Sequence, residues 1–134
     1  MLVPAGTTVA VADGGKLSLF RSTGSETHTK LTAIPVAAVS TDNMGSGARH
    51  GSSSANPDDR TQDEDAFAAG TAALLNSQAI DGTIKGLVII AAPRALGELR
   101  KHYHKKLQEV LLGEIAKDLT GHTSDDIEKA ISAA

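Results

Sequence analysis

Cysteine and tryptophan are absent from this sequence of 134 residues, and aromatic residues make up only 2% of it. Without cysteine, the chain has no disulfide framework, no thiolate nucleophile and no cysteine-based zinc site. This composition fits a reducing compartment, and we expect the protein to be cytoplasmic. The scarcity of aromatic side chains leaves little material for the base-stacking platforms that single-strand nucleic-acid binders use.

Long apolar runs and strong net charge are missing as well. No stretch approaches the roughly 20 apolar residues that span a bilayer, so we expect no membrane insertion. The first residues, MLVPAGTTVA, lack a basic start, and Pro4 and Gly6 interrupt their apolar run, so they do not resemble a signal peptide. The net charge of −3 argues against a generally basic nucleic-acid binder.

The motifs of nucleotide cofactors and of nucleophilic catalysis are also absent. The chain contains no Walker-type loop, no Gly-x-Gly-x-x-Gly turn that opens a helix, and no Gly-x-Ser-x-Gly elbow. Gly45-Ser46-Gly47 has neither a strand before it nor a lysine after it. The sequence therefore predicts no small-molecule cofactor and no recognisable catalytic constellation.

The first third of the chain carries three β-type runs. Thr7–Ala12 and Lys16–Arg21 flank Asp13-Gly14-Gly15, whose glycines suit the positive φ of a tight hairpin turn. The third run, Lys30–Ile34, ends at Pro35, which cannot donate to a ladder and therefore suits a strand end or a sheet edge. This pattern predicts a hairpin followed by a third strand.

A polar stretch, residues 41–59, separates these strands from the rest of the chain. It is dominated by Gly, Ser, Asn and Asp, and such a composition buries too little apolar surface to offset the entropy of ordering. We interpret it as a flexible loop. Thr61 and Glu64 after it have the spacing of a capping box, which predicts a helix from Thr61 to about Ser77.

Helices and strands alternate in the second half. Leu87–Ala92 is apolar without alternation, which is typical of a strand buried on both faces, and Pro93 suits the first turn of a helix. The later elements are a turn over Lys105–Val110, a strand within Leu111–Leu119 and a helix capped by Thr123 or Ser124. The order β-β-β-loop-α-β-α-β-α predicts a single α/β (α+β) domain over residues 1–134, with a mixed sheet flanked by helices.

Several carboxylates raise the hypothesis of a two-metal nuclease. The β-β-β-α-β order resembles that of ribonuclease H-like folds, and clustered carboxylates could clamp the metal ions that such chemistry needs. Turn formation and favourable interaction with a helix N-terminus account for the same residues without a metal. The residues concerned are Asp13, Asp63, Glu64, Asp65 and Asp81.

Basic side chains crowd the segment after Pro93, and they are the candidate contacts to phosphate, RNA backbone or a protein partner. His102 and His104 are two residues apart, whereas a helical zinc pair needs a spacing of four, so we predict no metal site there. Arg49 and His50 lie among glycines of the flexible loop, which could carry them toward a partner. The alternative is a solvated surface. The candidate binding residues are Arg49, His50, Arg94, Arg100, Lys101, His104, Lys105 and Lys106.

Three blocks of sequence resemble a known family. They are VADGGK at Val11–Lys16 leading to Leu19-Phe20, GLVIIAAPRALGELRKHY at Gly86–Tyr103, and GEIAKDLT at Gly113–Thr120. Together they look like the bacterial host-attachment family, proteins named as required for attachment to host cells and related to the middle domain of archaeal and eukaryotic peptide-chain release factors. The resemblance implies the fold of that domain, with an indirect link to attachment.

The resemblance also bears on activity. In the release factors, the glycine-rich loop carries a Gly-Gly-Gln motif that positions water for hydrolysis of peptidyl-tRNA. The corresponding segment here, Gly45–Gly51, has no glutamine, so release-type hydrolysis is not predicted. A non-catalytic binding module that faces the ribosome or structured RNA is the favoured hypothesis. A hydrolase or metal-dependent nuclease on the same fold and a directly acting surface adhesin remain the alternatives.

Overall fold

Five strands form one mixed sheet in the computed structural model, which describes residues 3–23, 29–36, 39 and 57–134. Four helices accompany the sheet within these residues. The elements are β1 (Thr8–Ala12), β2 (Leu17–Ser22), β3 (Leu31–Ile34), α1 (Pro57–Ile80), β4 (Leu87–Ala91), α2 (Pro93–Arg100), α3 (Lys105–Val110), β5 (Leu111–Ala116) and α4 (Ser124–Ala133).

The strand order is β3-β2-β1-β4-β5, with β1 and β4 at its centre. β1 pairs antiparallel with β2, and β2 pairs antiparallel with β3, whereas β4 runs parallel to both β1 and β5. A parallel pair needs a crossover connection, and α1 lies between β1 and β4 in the chain. The carboxyl ends of β1, β4 and β5 consequently open at the same edge of the sheet.

Each face of the sheet has its own apolar core. Ala10 and Ile89 belong to the cluster that packs against α1, α2 and α3. Val9 and Ile90, one residue along each strand, belong to the cluster that contains Ile127 of α4. Side chains alternate between the faces of a strand, so both faces of β1 and β4 are covered by helices. All five residues of β4 are fully buried, as the unalternated run Leu87–Ala92 predicted.

The fold class predicted from the sequence is confirmed, with changes in the helices. α1 begins at Pro57, so position 61 lies inside the helix and the predicted capping box does not mark its start. The last three residues of the predicted flexible loop, 57–59, are helical, and its residues 41–56 lie outside the described part of the chain. Lys105–Val110 is a helix and not a turn.

The hairpin between β1 and β2 forms by a different device from the one predicted. Neither Gly14 nor Gly15 has a positive φ, so the prediction based on left-handed glycines is wrong. Instead Asp13 Oδ1 accepts hydrogen bonds from the backbone N–H groups of Gly15 and Lys16, each at 2.7 Å. An aspartate that bonds to the backbone two and three residues on closes a turn by itself.

Side chains cap two of the later helices. The Nδ1 atom of His104 accepts a hydrogen bond from Lys106 N–H at 2.9 Å at the start of α3. Thr123 Oγ1 accepts from Asp126 N–H at 3.2 Å at the start of α4, as predicted. Of the described helices, none is both long enough and apolar enough to cross a membrane.

The Thr123 cap provides a test of the fold. We expect Thr123→Ala to lower the free energy of unfolding by about 0.5 to 2 kcal/mol, because an N–H group of α4 loses its acceptor. Thr123→Ser keeps the hydroxyl and should stay within a few tenths of a kcal/mol of the parent. Urea denaturation of both variants measures the difference, and equal stability of the two would contradict the capping role.

Candidate functional site

A cleft of about 390 Å³ opens at the edge of the sheet where the parallel strands end. Ligands of open α/β sheets bind in the crevice outside the carboxyl ends of the strands, so this cleft occupies the expected place for a site. Asp13 follows β1, Ala92 follows β4 and Asp118 lies two residues beyond β5. The lining residues are Asp13, Gly14, Gly15, Glu64, Asp65, Ala68, Ala92, Arg94, Ala95, Glu98 and Asp118.

Asp13 is held on both carboxylate oxygens. Its Oδ1 closes the hairpin, and its Oδ2 accepts a hydrogen bond from Thr120 Oγ1 at 2.7 Å. The same hydroxyl lies 2.7 Å from Asp118 Oδ1, so Thr120 joins the end of β1 to the segment after β5. Partial burial raises the pKa of Asp13, but the hydrogen bonds from Gly15, Thr120 and Lys16 outweigh it and hold that pKa below its ordinary value of 3.8.

Arg94 lies between two carboxylates of α1. Its guanidinium is 3.0 Å from Glu64 Oε1 and 3.6 Å from Asp65 Oδ1. Glu64 also packs against the hairpin, because a Cβ placed on Gly14 would lie 2.5 Å from its Oε2 and 2.9 Å from its Cγ. A side chain at position 14 would therefore displace the end of the Glu64 side chain, whereas the backbone conformation there does not require glycine.

The described residues contain no set of ligands for the hypothetical two-metal site. Asp13, Glu64 and Asp65 do meet at the cleft, but the first two are engaged by backbone N–H groups and by Arg94. Asp81 lies after the other end of α1, where it accepts a hydrogen bond from Thr83 N–H. Across the part of the chain that the structure describes, no group of three His, Asp or Glu side chains could hold a metal ion.

Five of the eight candidate binding residues lie in one turn, residues 100–106, which we call the basic turn. Arg94 lies at the opposite end of α2, about 9 Å from Arg100 along the helix axis for a rise of about 1.5 Å per residue. Arg49 and His50 lie outside the described residues. The structure thus brings together five of the predicted binding residues, Arg100, Lys101, His104, Lys105 and Lys106.

Three contacts fix the backbone of the basic turn. Asn76 of α1 donates from Nδ2 to the carbonyl of His102 at 2.9 Å, and its Oδ1 accepts from His104 N–H at 2.9 Å. Tyr103 turns inward, and its hydroxyl donates to Glu114 Oε2 at 2.7 Å. Leu107 is fully buried one turn later. The basic side chains are therefore displayed from a backbone that is tied to α1, β5 and the core.

Carboxylates accompany most of the cations in the basic turn. Arg100 forms a forked pair with Glu114, with Nη2 donating to Oε1 at 2.9 Å and Nε donating to Oε2 at 3.2 Å. Lys101 contacts Glu98 at 2.7 Å, and Lys106 lies 4.0 Å from Glu109. Lys105 is exposed and has no carboxylate within ion-pair distance among the described residues. The local excess of positive charge is smaller than the sequence suggests.

Comparison with known proteins identifies the family of the chain. The sequence model of bacterial archaeo-eukaryotic release factor family 12 matches residues 6–131, which is nearly the whole chain. The chain belongs to this family. An uncharacterized protein of Rickettsia prowazekii (strain Madrid E) is 43% identical over 49 residues, covering 37% of this chain and 33% of that relative. The alignment spans a third of that protein's length.

Membership of release factor family 12 confirms the relation to release factors that the three sequence blocks implied. The match carries the release-factor description and not the host-attachment name. Two of the blocks also contain residues whose contacts sequence reasoning missed: Glu98 lies in PRALGELR, and Glu114, Asp118 and Thr120 lie in GEIAKDLT. Asn76 had no sequence signal, since a single amide in an alanine-rich helix is not distinctive.

Gly14 provides a test of the cleft. We expect Gly14→Ala to lower the free energy of unfolding by up to about 1 kcal/mol, because the new methyl group displaces the Glu64 side chain and disturbs its exposed ion pair with Arg94. Gly15→Ala is the matched control, since nothing lies within 4 Å of a Cβ at that position. In a Glu64→Ala background, Gly14→Ala should cost much less. Equal costs in both backgrounds, measured by urea denaturation, would contradict this packing.

Glu114 provides a test by pH. Partial burial raises its pKa, but the hydrogen bonds from Arg100 and Tyr103 and the charge of Arg100 outweigh it and hold that pKa below the ordinary 4.5. The stabilisation is therefore complete above about pH 4.5 and is lost as the pH falls through the lower folded-state pKa. We expect Glu114→Gln to lower the free energy of unfolding by about 1 to 3 kcal/mol at neutral pH, with the difference from the parent shrinking at about pH 3. A difference independent of pH would contradict this assignment.

Proposed function

We propose that this member of release factor family 12 is a translation-associated binding module that contacts the phosphate backbone of structured RNA, on the ribosome or in tRNA, through the basic turn. The observation that carries the proposal is the display of Lys101, Lys105 and Lys106 from a turn anchored to three other parts of the fold. A fixed backbone lowers the ordering entropy that binding would otherwise cost.

The ion pairs of the lysines do not prevent such contacts. The side chains of Lys106 and Glu109 are 53% and 58% exposed, and ion pairs between exposed groups contribute only about 0 to 1 kcal/mol. A phosphate can therefore replace Glu109 at little cost. The side chain of Lys101 is 66% exposed, although its partner Glu98 is only 20% exposed. Lys105 can contact a phosphate directly, because it has no carboxylate partner among the described residues. Backbone phosphate is the natural partner of clustered lysines, and such contacts carry no sequence information.

Two further features support recognition of backbone and not of bases. Tyr103, the aromatic residue of the basic turn, is half-buried and its hydroxyl is bound to Glu114, so it offers no free ring for base stacking. The net charge of −3 limits non-specific attraction of nucleic acid by the remaining surface. A cytoplasmic protein of this kind would affect attachment to a host only indirectly, through translation.

Binding of a short RNA duplex, followed by fluorescence anisotropy, tests this proposal. We expect affinity to fall with salt, and Lys105→Gln/Lys106→Gln to weaken binding and to reduce the slope of log affinity against log salt by about one for each phosphate that the variant no longer neutralises. The control is Lys30→Gln/Lys129→Gln, which makes the same change in charge at exposed positions before β3 and on α4.

Salt-independent binding, or equal weakening by the two double variants, would overturn the proposal. Co-sedimentation with ribosomes from the native cytoplasm then separates the two sources of RNA. Retention on ribosomes that disappears in Lys105→Gln/Lys106→Gln identifies the ribosome as the partner, whereas duplex binding without such retention indicates a free RNA such as tRNA.

A further inference from the structure

Two carboxylates of the basic-turn region have a lysine as their ion-pair partner. Glu98 and Glu109 each stand three residues from their lysine, Glu98 at 2.7 Å from Lys101 and Glu109 at 4.0 Å from Lys106. Glu109 is exposed, whereas the side chain of Glu98 is 20% exposed and lines the cleft. Substitution by glutamine keeps the size of each side chain while it removes the negative charge that a ligand meets.

Glu114 differs from these two carboxylates. Its side chain is 20% exposed, the same fraction as that of Glu98, but it accepts the fork of Arg100 and the hydroxyl of Tyr103 and so joins β5 to α2 and the basic turn. A forked guanidinium pair with a further hydrogen bond is a strong, geometrically specific arrangement. The guanidinium of Arg100 is therefore occupied by Glu114, and the lysines are the cations available to a ligand.

A phosphate at Lys101 or Lys106 must take the lysine from its carboxylate and then lie near that carboxylate. Surface ion pairs exchange readily, but two negative groups within a Debye length of about 10 Å still repel each other at moderate salt. Each resident carboxylate should therefore weaken the interaction, and the effect should decrease as salt screens the charges.

We infer that Glu98 and Glu109 are the affinity-setting residues of the basic turn, competing with RNA phosphate for Lys101 and Lys106 and keeping the interaction weak and salt-sensitive. This inference rests on the proposed function. In this inference the lysines contact the RNA, and the pair of Arg100 with Glu114 stabilises the fold. Glu98 and Glu109 set the strength of binding.

The test measures affinity for the same RNA duplex in Glu98→Gln, Glu109→Gln and the double variant. We expect each single substitution to tighten binding about two- to fivefold at low salt and the double variant to combine both effects. The gain should shrink at high salt. Asp125→Asn is the matched control, since it removes the same charge from an exposed position of α4, on the opposite face of the sheet. Thermal melting of all variants checks that the fold is kept.

The outcomes separate this inference from the proposed function. Tighter binding by both glutamine variants with Asp125→Asn unchanged supports the inference. If the parent binds with the expected salt dependence but Glu98→Gln and Glu109→Gln bind no more tightly, the inference fails and the proposed function stands. If Asp125→Asn tightens binding equally, the effect comes from net charge alone, and the inference is overturned. If the unsubstituted protein does not bind the RNA duplex, both the inference and the proposed function fail.

Discussion

The parallel pairing of β1 with β4 is the contact from which the other features of the molecule follow. Both strands are buried on both faces, and their side chains contribute to two separate apolar cores. One core lies under α1, α2 and α3, and the other lies under α4. Within β1 and β4, Thr8 is the only polar residue, and the polar side chains of the cleft follow the strand ends or lie on the helices. The cleft forms at the carboxyl ends, and α2 starts there and leads to the basic turn.

Charge compensation is the second organising property. At the cleft, Arg94 contacts two carboxylates of α1 and Asp13 is saturated by backbone N–H groups and Thr120, so the acidic residues there serve mainly to hold α1, α2 and the hairpin together. At the basic turn, Arg100 is held by a forked pair with Glu114, whereas each paired lysine has a single contact, at 2.7 Å for Lys101 and at 4.0 Å for Lys106. The availability of a cation for an external phosphate depends on this difference and not on the number of basic residues in the segment.

Most of the fold could be predicted from the sequence, because its main signals are local. The unalternated run at β4, Pro93 at the start of α2 and Thr123 at the start of α4 each specify an element by themselves. The failures occurred where two signals compete. Thr61 and Glu64 have capping-box spacing, yet the helix begins at Pro57. Glu64 instead accepts a hydrogen bond from Arg94 and packs against Gly14. Asp13-Gly14-Gly15 was correctly assigned to a turn for the wrong reason, because the aspartate side chain closes it.

By itself, the sequence determined the order of the strands and of three of the four described helices, the apolar residues of the sheet, the relation to release factors and the clustering of cations near residue 100, since each depends on residue type and spacing along the chain. Only the tertiary structure decided which charges meet. Asn76 with His102, Arg94 with Glu64 and Thr120 with Asp13 are pairs 26, 30 and 107 residues apart. An ion pair or hydrogen bond depends on a few ångströms of separation, and that separation is set by how the helices pack on the sheet.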